Sequence, residues 1–230
     1  VPGVASLVVA SGPAFSWVDI TGVGTNTGLA ADDGLSTAIA MPFGFPFYGS
    51  SFSSVRVCSN GFLTFTGTTS PYSNSALPSA GGVANMIAPF WDDQDMSAAG
   101  GGSAYTYYDG SRFIIEWSAV SHYSSGGPYT YEVILYPTGE IRCQYQTMAS
   151  PTNSATIGIQ NATSTVGLTV AYNTTYLHDA MAIRIIPLAQ WMTVSPTSGR
   201  INAGNSQQVA VHFDATGLVG GDYPGNVRFL

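Results

Sequence analysis

The sequence predicts an all-β protein: an antiparallel, jelly-roll-like β-sandwich over residues 1–187, followed by an incomplete second sandwich over residues 191–230. Three observations lead there. No segment sustains the apolar period near 3.6 that a helix requires. Short β-prone runs recur instead, separated by Gly, Pro, Asn and Ser. Their number and even spacing are those of a sandwich or a barrel.

In order, strands are expected at residues 5–10, 15–20, 35–41, 54–58, 62–66, 86–91, 104–108, 112–120, 129–136, 140–147, 155–160, 166–172 and 181–186. The stretch 112–147 can be taken further. Tyr136-Pro137-Thr138-Gly139-Glu140 reads as a hairpin with a three-residue loop and Gly139 in the left-handed position. If Tyr136 faces Glu140, then Leu135 faces Ile141, Val133 faces Cys143 and Tyr131 faces Tyr145, all on one buried face. Phe113, Ile115 and Trp117 alternate onto that same face. The opposite face then carries Glu116, Glu132, Ile134, Arg142 and Gln144, with Arg142 diagonal to Glu132 as an ordinary cross-strand charge pair.

A boundary falls near residues 187–190. Beyond it, residues 191–196, 207–215 and 223–230 supply about three strands, too few for a closed sandwich. The open edge has two readings. Strands beyond Leu230 complete the unit, or another strand fills it, as in donor-strand complementation. Leu7, Val8 and Val9 lie in a β-prone, uncharged segment suited to donation, and Phe229 and Leu230 would sit on the exposed edge.

Composition narrows the function classes. Charged residues are only 8% of the chain, and its six Lys+Arg side chains are all arginines: Arg56, Arg112, Arg142, Arg184, Arg200 and Arg228. The net charge is −7, with no basic stripe for nucleic acid and no polybasic patch for an anionic membrane. The longest apolar runs are far short of a membrane span. A surface of hydroxyls and amides suits a secreted protein. Val1 stands where an initiator methionine would, as expected after removal of a leader. Cys58 and Cys143 are the only cysteines. In an exported protein they are expected to form a disulfide, the other reading being two buried thiols.

Several motifs occur in order. They are Met41-Pro42-Phe43-Gly44-Phe45-Pro46-Phe47-Tyr48-Gly49, Ser59-Asn60-Gly61-Phe62-Leu63, Ile87-Ala88-Pro89-Phe90-Trp91-Asp92-Asp93 and Tyr107-Tyr108-Asp109-Gly110. Phe113-Ile114-Ile115-Glu116-Trp117, Tyr136-Pro137-Thr138-Gly139-Glu140-Ile141 and Ala155-Thr156-Ile157-Gly158-Ile159 follow. Over residues 15–186 this set resembles modules of large secreted bacterial proteins, often beside subtilisin-like peptidase domains. It is distantly similar to the nidogen-like region of animal plexin-domain-containing proteins. Trp191, Ser195, Pro196, Gly199, Asp214, Gly217, Tyr223 and Gly225 resemble an Ig-like repeat of the BACON type. The resemblance implies an extracellular scaffold or ligand-binding module and no reaction.

The residues agree in lacking hydrolase, zinc and phosphate-loop signatures. His122, His178 and His212 are far apart in sequence. Asp92, Asp93 and Asp95 form the sharpest local feature. They read as a polar capping loop or as oxygen ligands for calcium, without the glycine and terminal glutamate of an EF-hand. Glu116 and Glu132 would be a glycosidase-like pair if directly opposed. A two-residue shift is expected to separate them, because like charges in opposition cost up to roughly 1 kcal/mol. Exposed tyrosines would suit glycan or protein contact. Asn161-Ala162-Thr163 and Asn173-Thr174-Thr175 match the N-glycosylation pattern by chance. The expectation is a non-catalytic structural or adhesive module of a secreted or cell-surface assembly. Its partners would be other protein domains, copies of itself or glycan, with no cofactor other than calcium. The alternative is an accessory binding domain of a secreted hydrolase.

Overall fold

The structure, a computed structural model, describes residues 7–10 (backbone only), 13–97, 99–187 and 192–213. The chain divides into two units, residues 1–187 and 188–230. Among the described residues there is no helix. The first unit contains β1 (Leu7–Ala10), β2 (Thr25–Asn26), β3 (Ile39–Phe47), β4 (Ser50–Cys58), β5 (Phe62–Thr64), β6 (Met86–Trp91) and β7 (Gln94–Asp95). It continues with β8 (Ser103–Tyr108), β9 (Phe113–His122), β10 (Tyr129–Leu135), β11 (Ile141–Met148), β12 (Thr156–Gln160), β13 (Gly167–Tyr172) and β14 (Met181–Pro187). They form two antiparallel sheets. The larger runs β1-β14-β11-β10-β9-β8-β2, with β7 paired to β9, and the smaller runs β13-β12-β6-β5-β4-β3.

The sheets pack as a sandwich, because strand alternation sends one apolar set from each into a common core. Phe113, Ile115, Trp117, Tyr131, Val133, Leu135, Cys143 and Tyr145 come from the larger sheet, and Phe45, Phe47, Val57, Leu63, Ile87 and Phe90 from the smaller. Polar tips in this core are satisfied across the gap: Trp117 Nε1 donates to the Cys58 carbonyl at 2.9 Å and Tyr145 Oη to the Pro89 carbonyl at 2.8 Å.

The expected meander is present. Leu135 faces Ile141 and Phe113, Val133 faces Cys143 and Ile115, and Tyr131 faces Tyr145 and Trp117. The hairpin closes through Tyr136 N–H to Glu140 O at 3.0 Å and Gly139 N–H to Tyr136 O at 2.9 Å, with Gly139 at φ 85°.

The strand expectations need three corrections. Residues 39–47 form one strand despite Pro42 and Pro46, because β3 is an edge strand and its register shifts between Ala40 and Phe45. An edge tolerates a missing N–H. β3 turns into β4 through Tyr48 and Gly49, both at positive φ, and Phe45, Phe47 and Phe52 gather around Phe65. Residues 15–20 join no ladder; they cross the outer face of the larger sheet as a strap. β2 and β7, two residues each, carry no periodicity that could announce them.

The expected disulfide is not formed: Cys58 and Cys143 are free, buried thiols. Alternation explains it. Val57 points into the core between the sheets, so Cys58 points to the other side of its sheet, among Phe62, Met86 and Trp91. Cys143 points into the central core. Leu7–Ala10, considered as a donor strand, pairs with β14 of its own unit, Leu7 opposite Pro187.

In the second unit, β15 (Met192–Ser195) pairs antiparallel with β16 (Ala210–Phe213). Trp191, Phe229 and Leu230 lie outside the described residues.

Candidate functional site

The Ser59-Asn60-Gly61 bend between β4 and β5 organises one group of loops. Ser59 Oγ donates to the Asp32 carbonyl and accepts Gly34 N–H at 2.7 Å. Asn60 Nδ2 donates to Asp33 Oδ1 at 2.8 Å, and Asn60 Oδ1 accepts Gln94 N–H at 3.0 Å. Gly61 sits at φ 71°, where an added Cβ would lie 1.9 Å from the Phe90 carbonyl oxygen. Only glycine allows that approach.

The bend thereby holds the loop bearing Asp32 and Asp33 against the segment after β6. Carboxylate oxygens of Asp32, Asp33 and Asp93 come within 4.8 Å of one another. Desolvation, then repulsion from Asp33 and Asp95, raises the Asp32 carboxyl above its ordinary range. Asp93 is raised by desolvation and by Asp32 and Asp33, with His122 opposing. Asp32 Oδ1 is buried and accepts no hydrogen bond. Oxygen-rich groupings of this kind suit a hard cation.

Of the three aspartates singled out in the sequence, only Asp93 joins this group. Asp92 turns inward and is 5% exposed. It accepts Ser154 Oγ at 2.7 Å, and His122 Nε2 lies 3.8 Å away. Asp95 Oδ1 accepts Ser97 N–H at 2.7 Å, a local cap. Successive side chains on extended backbone point apart, so sequence neighbours disperse. Asp32 and Asp33 are brought in from about sixty residues away in sequence. The Asp32-Asp33 dipeptide was the one signal available, and nothing in the sequence pairs it with Asp93.

Beside this group lies an open cleft of about 470 Å³, lined by Asp95, Gly100, Ser121, His122, Tyr123 and neighbouring small residues. Tyr123 is 48% exposed. The lining is half polar and half apolar and contains no arginine. His178 is exposed on a separate loop, with Nδ1 against the Asp179 carbonyl.

The second carboxylate arrangement is on the outer face of the larger sheet. Glu116 and Glu132 do stand directly opposite each other, contrary to the expected shift. They are 1% and 0% exposed. Nor does Arg142 pair with Glu132: it and Arg184 both bind Glu140. The strap over residues 13–20 covers the pair. It crosses the strands in sequence, Ser16 exchanging two backbone bonds with the Gln144 side chain on β11 and Ile20 N–H donating to Glu116 Oε2 on β9 at 3.0 Å. Between them the Val18 backbone N–H lies near Glu132 on β10 and favours its charged form. Gln144 Nε2 also donates to Glu132 Oε1, while Glu132 Oε2 is buried without a partner. Burial pushes the Glu132 carboxyl up to about 8, against the Gln144 bond. Burial raises Glu116 as well.

A family model described as NIDO related matches residues 8–202, and comparison with curated proteins and with solved structures finds no match.

Proposed function

The chain belongs to the NIDO-related, or nidogen-related, family, and on that premise we propose that it is a non-catalytic, extracellular structural or adhesive module of a secreted or cell-surface assembly. One observation carries the non-catalytic part. The directly opposed carboxylate pair on a sheet face, Glu116 and Glu132, is sealed under residues 13–20 and bonded to backbone. A glycosidase needs both carboxyls open to the sugar and, for inversion, room for a water. The family membership supports an extracellular setting, and the low charge agrees with it. We read residues 191–230 as Ig-like.

In this reading a calcium-class cation is held by Asp32, Asp33 and Asp93, tying two loops at one site; this replaces the contiguous set Asp92, Asp93 and Asp95. The ion would offset the desolvation, and then the repulsion from neighbouring aspartates, that raise Asp32 and Asp93.

The cleft at His122 and Tyr123, with its mixed polar and apolar lining, favours a second reading, an accessory domain that binds glycan or protein. Light scattering of the purified chain, with and without calcium, combined with a glycan array, separates the two. Self-association without glycan binding supports the structural module. A monomer that binds glycan through the cleft, lost in Tyr123→Ala, supports the accessory domain. Turnover of a glycoside or peptide substrate that Glu132→Gln abolishes would overturn both.

A further inference from the structure

The strap can be followed residue by residue. β1 is hydrogen-bonded to β14 at one side of the larger sheet, and β2 to β8 at the other. Residues 13–20 cross the intervening strands, with Ser16 bonded to Gln144 of β11, Val18 near Glu132 of β10 and Ile20 bonded to Glu116 of β9. Gln144, Glu132 and Glu116 form one row across three paired strands. The strap therefore docks on a line of two carboxyls and one amide. Ile20 adds apolar contact with Ile114 and Ile134, flanked by Val18, Tyr105, Tyr107 and Tyr136.

This row has an excess of acceptors. Two ionised carboxylates side by side and out of water would be unstable. Ile20 N–H satisfies one oxygen of Glu116, and Gln144 Nε2 satisfies Oε1 of Glu132. Glu132 Oε2 has nothing. A proton there removes the uncompensated charge.

The geometry points to a proton-dependent latch: residues 13–20 are held on the sheet while Glu132 carries a proton, and lift from it when Glu132 ionises. Because the strap's ends are pinned by β1 and β2, it opens as a loop and the sandwich stays folded. Its opening uncovers Ile114, Ile134 and the carboxyl row.

The other groups facing Glu132 do not replace the proton. On the strap, Asp19 adds negative charge near Glu116. On β9, Glu116 opposes ionisation, and Arg112 at its start attracts only from a distance while bound to Asp109. On β11, Arg142 is engaged by Glu140, as is Arg184 on β14. Tyr105 and Tyr107 on β8 and Tyr136 after β10 border the row. From the core side, Cys143 is a buried neutral thiol.

The sign follows by linkage. The closed strap binds the Glu132 proton more tightly than the open one, where the carboxyl meets water. Closure is strongest below the ordinary glutamate range near 4.5 and weakens as pH rises toward about 8. Hydrogen exchange on the full chain reads this directly. The Ser16, Val18 and Ile20 amides should lose about tenfold or more of their protection, relative to the free-peptide rate at each pH, between pH 5 and pH 9. Amides in β10 and β11 should keep theirs. Glu132→Gln should retain strap protection at pH 9. Constant strap protection in the natural chain, or an unchanged fall in Glu132→Gln, overturns the latch. Should Glu132→Gln fail to fold, Glu116→Gln tests the same point. Removing the facing carboxylate takes away one cause of the raised Glu132 value, so the loss of strap protection should become smaller and end at lower pH, and a loss that is unchanged or larger overturns the latch.

Discussion

Trp117 and Cys58 are joined across the sandwich: the indole N–H on β9 donates to the Cys58 carbonyl on β4 at 2.9 Å. The indole also stacks on Tyr131, 5.1 Å between centroids, and the Tyr131 hydroxyl donates to Gln94 Oε1 at 2.9 Å. Gln94 N–H in turn reaches Asn60. A continuous bonded path thus runs from the larger sheet to the Ser59-Asn60-Gly61 bend and the acidic loops.

Trp117→Phe should therefore destabilise the first unit beyond its loss of ring area. It leaves the buried Cys58 carbonyl with the longer bond from Gly61 N–H at 3.3 Å, and the lost hydrogen bond is worth about 1 kcal/mol. Urea denaturation measures it, and an unchanged midpoint would show that the carbonyl finds another donor.

Gly61→Ala should be more severe. The new methyl would meet the Phe90 carbonyl at 1.9 Å and the Gln94 amide at 2.1 Å, on a backbone at φ 71°. A loss of about 3 kcal/mol or more is expected. Gly110→Ala is the control, since at φ 96° its Cβ meets nothing within 4 Å. Equal effects would attribute the loss to backbone strain alone.

The two cysteines should be inert in the native protein. Burial pushes both thiols up to about 12, so almost no thiolate forms at neutral pH. A thiol reagent should find nothing to modify before unfolding and both cysteines after it, without reductant. Failure to find them in the denatured, unreduced chain would restore the disulfide.

Calcium should raise the melting temperature, and chelator should reverse the rise, by mass action on the folded state. Asp93→Asn should abolish the calcium response. Without calcium it should stabilise slightly, by about 0.5–1 kcal/mol, because it removes one repelling carboxylate. Asp95→Asn should keep the response, its carboxylate being a local cap. A calcium shift that survives Asp93→Asn would place the ion elsewhere.

Global stability should fall as pH rises from about 5 to about 8. Glu132 is an acid whose folded-state value is raised from 4.5 to about 8, so its contribution is full below 4.5 and lost on passing through about 8. Chemical denaturation across this range should show the slope, and Glu132→Gln should flatten it. A flat natural profile would mean that Glu132 ionises without penalty.

The sequence by itself determined the all-β class, the meander register and the hairpin at Gly139. Each of these is local: alternation has a period of two, and a three-residue loop admits few pairings. It also marked the Ser59-Asn60-Gly61 bend, although not its role as a clamp. Tertiary structure alone decided which polar groups meet. Asp93 joins Asp32 and Asp33 because a bend between two other strands carries a distant loop to it, while its neighbours Asp92 and Asp95 turn elsewhere. Cys58 and Cys143 stay apart because one faces outward from its sheet and the other inward. Alternation puts Glu116 and Glu132 on the face opposite the core, and like-charge repulsion argues against their direct opposition. What changed both conclusions is the strap at residues 13–20, whose alternation looked like a strand. A segment that docks through backbone N–H groups on side chains has no periodic signature. Its place depends on β1 and β2 pairing at opposite sides of a sheet, and that pairing exists only in the folded chain.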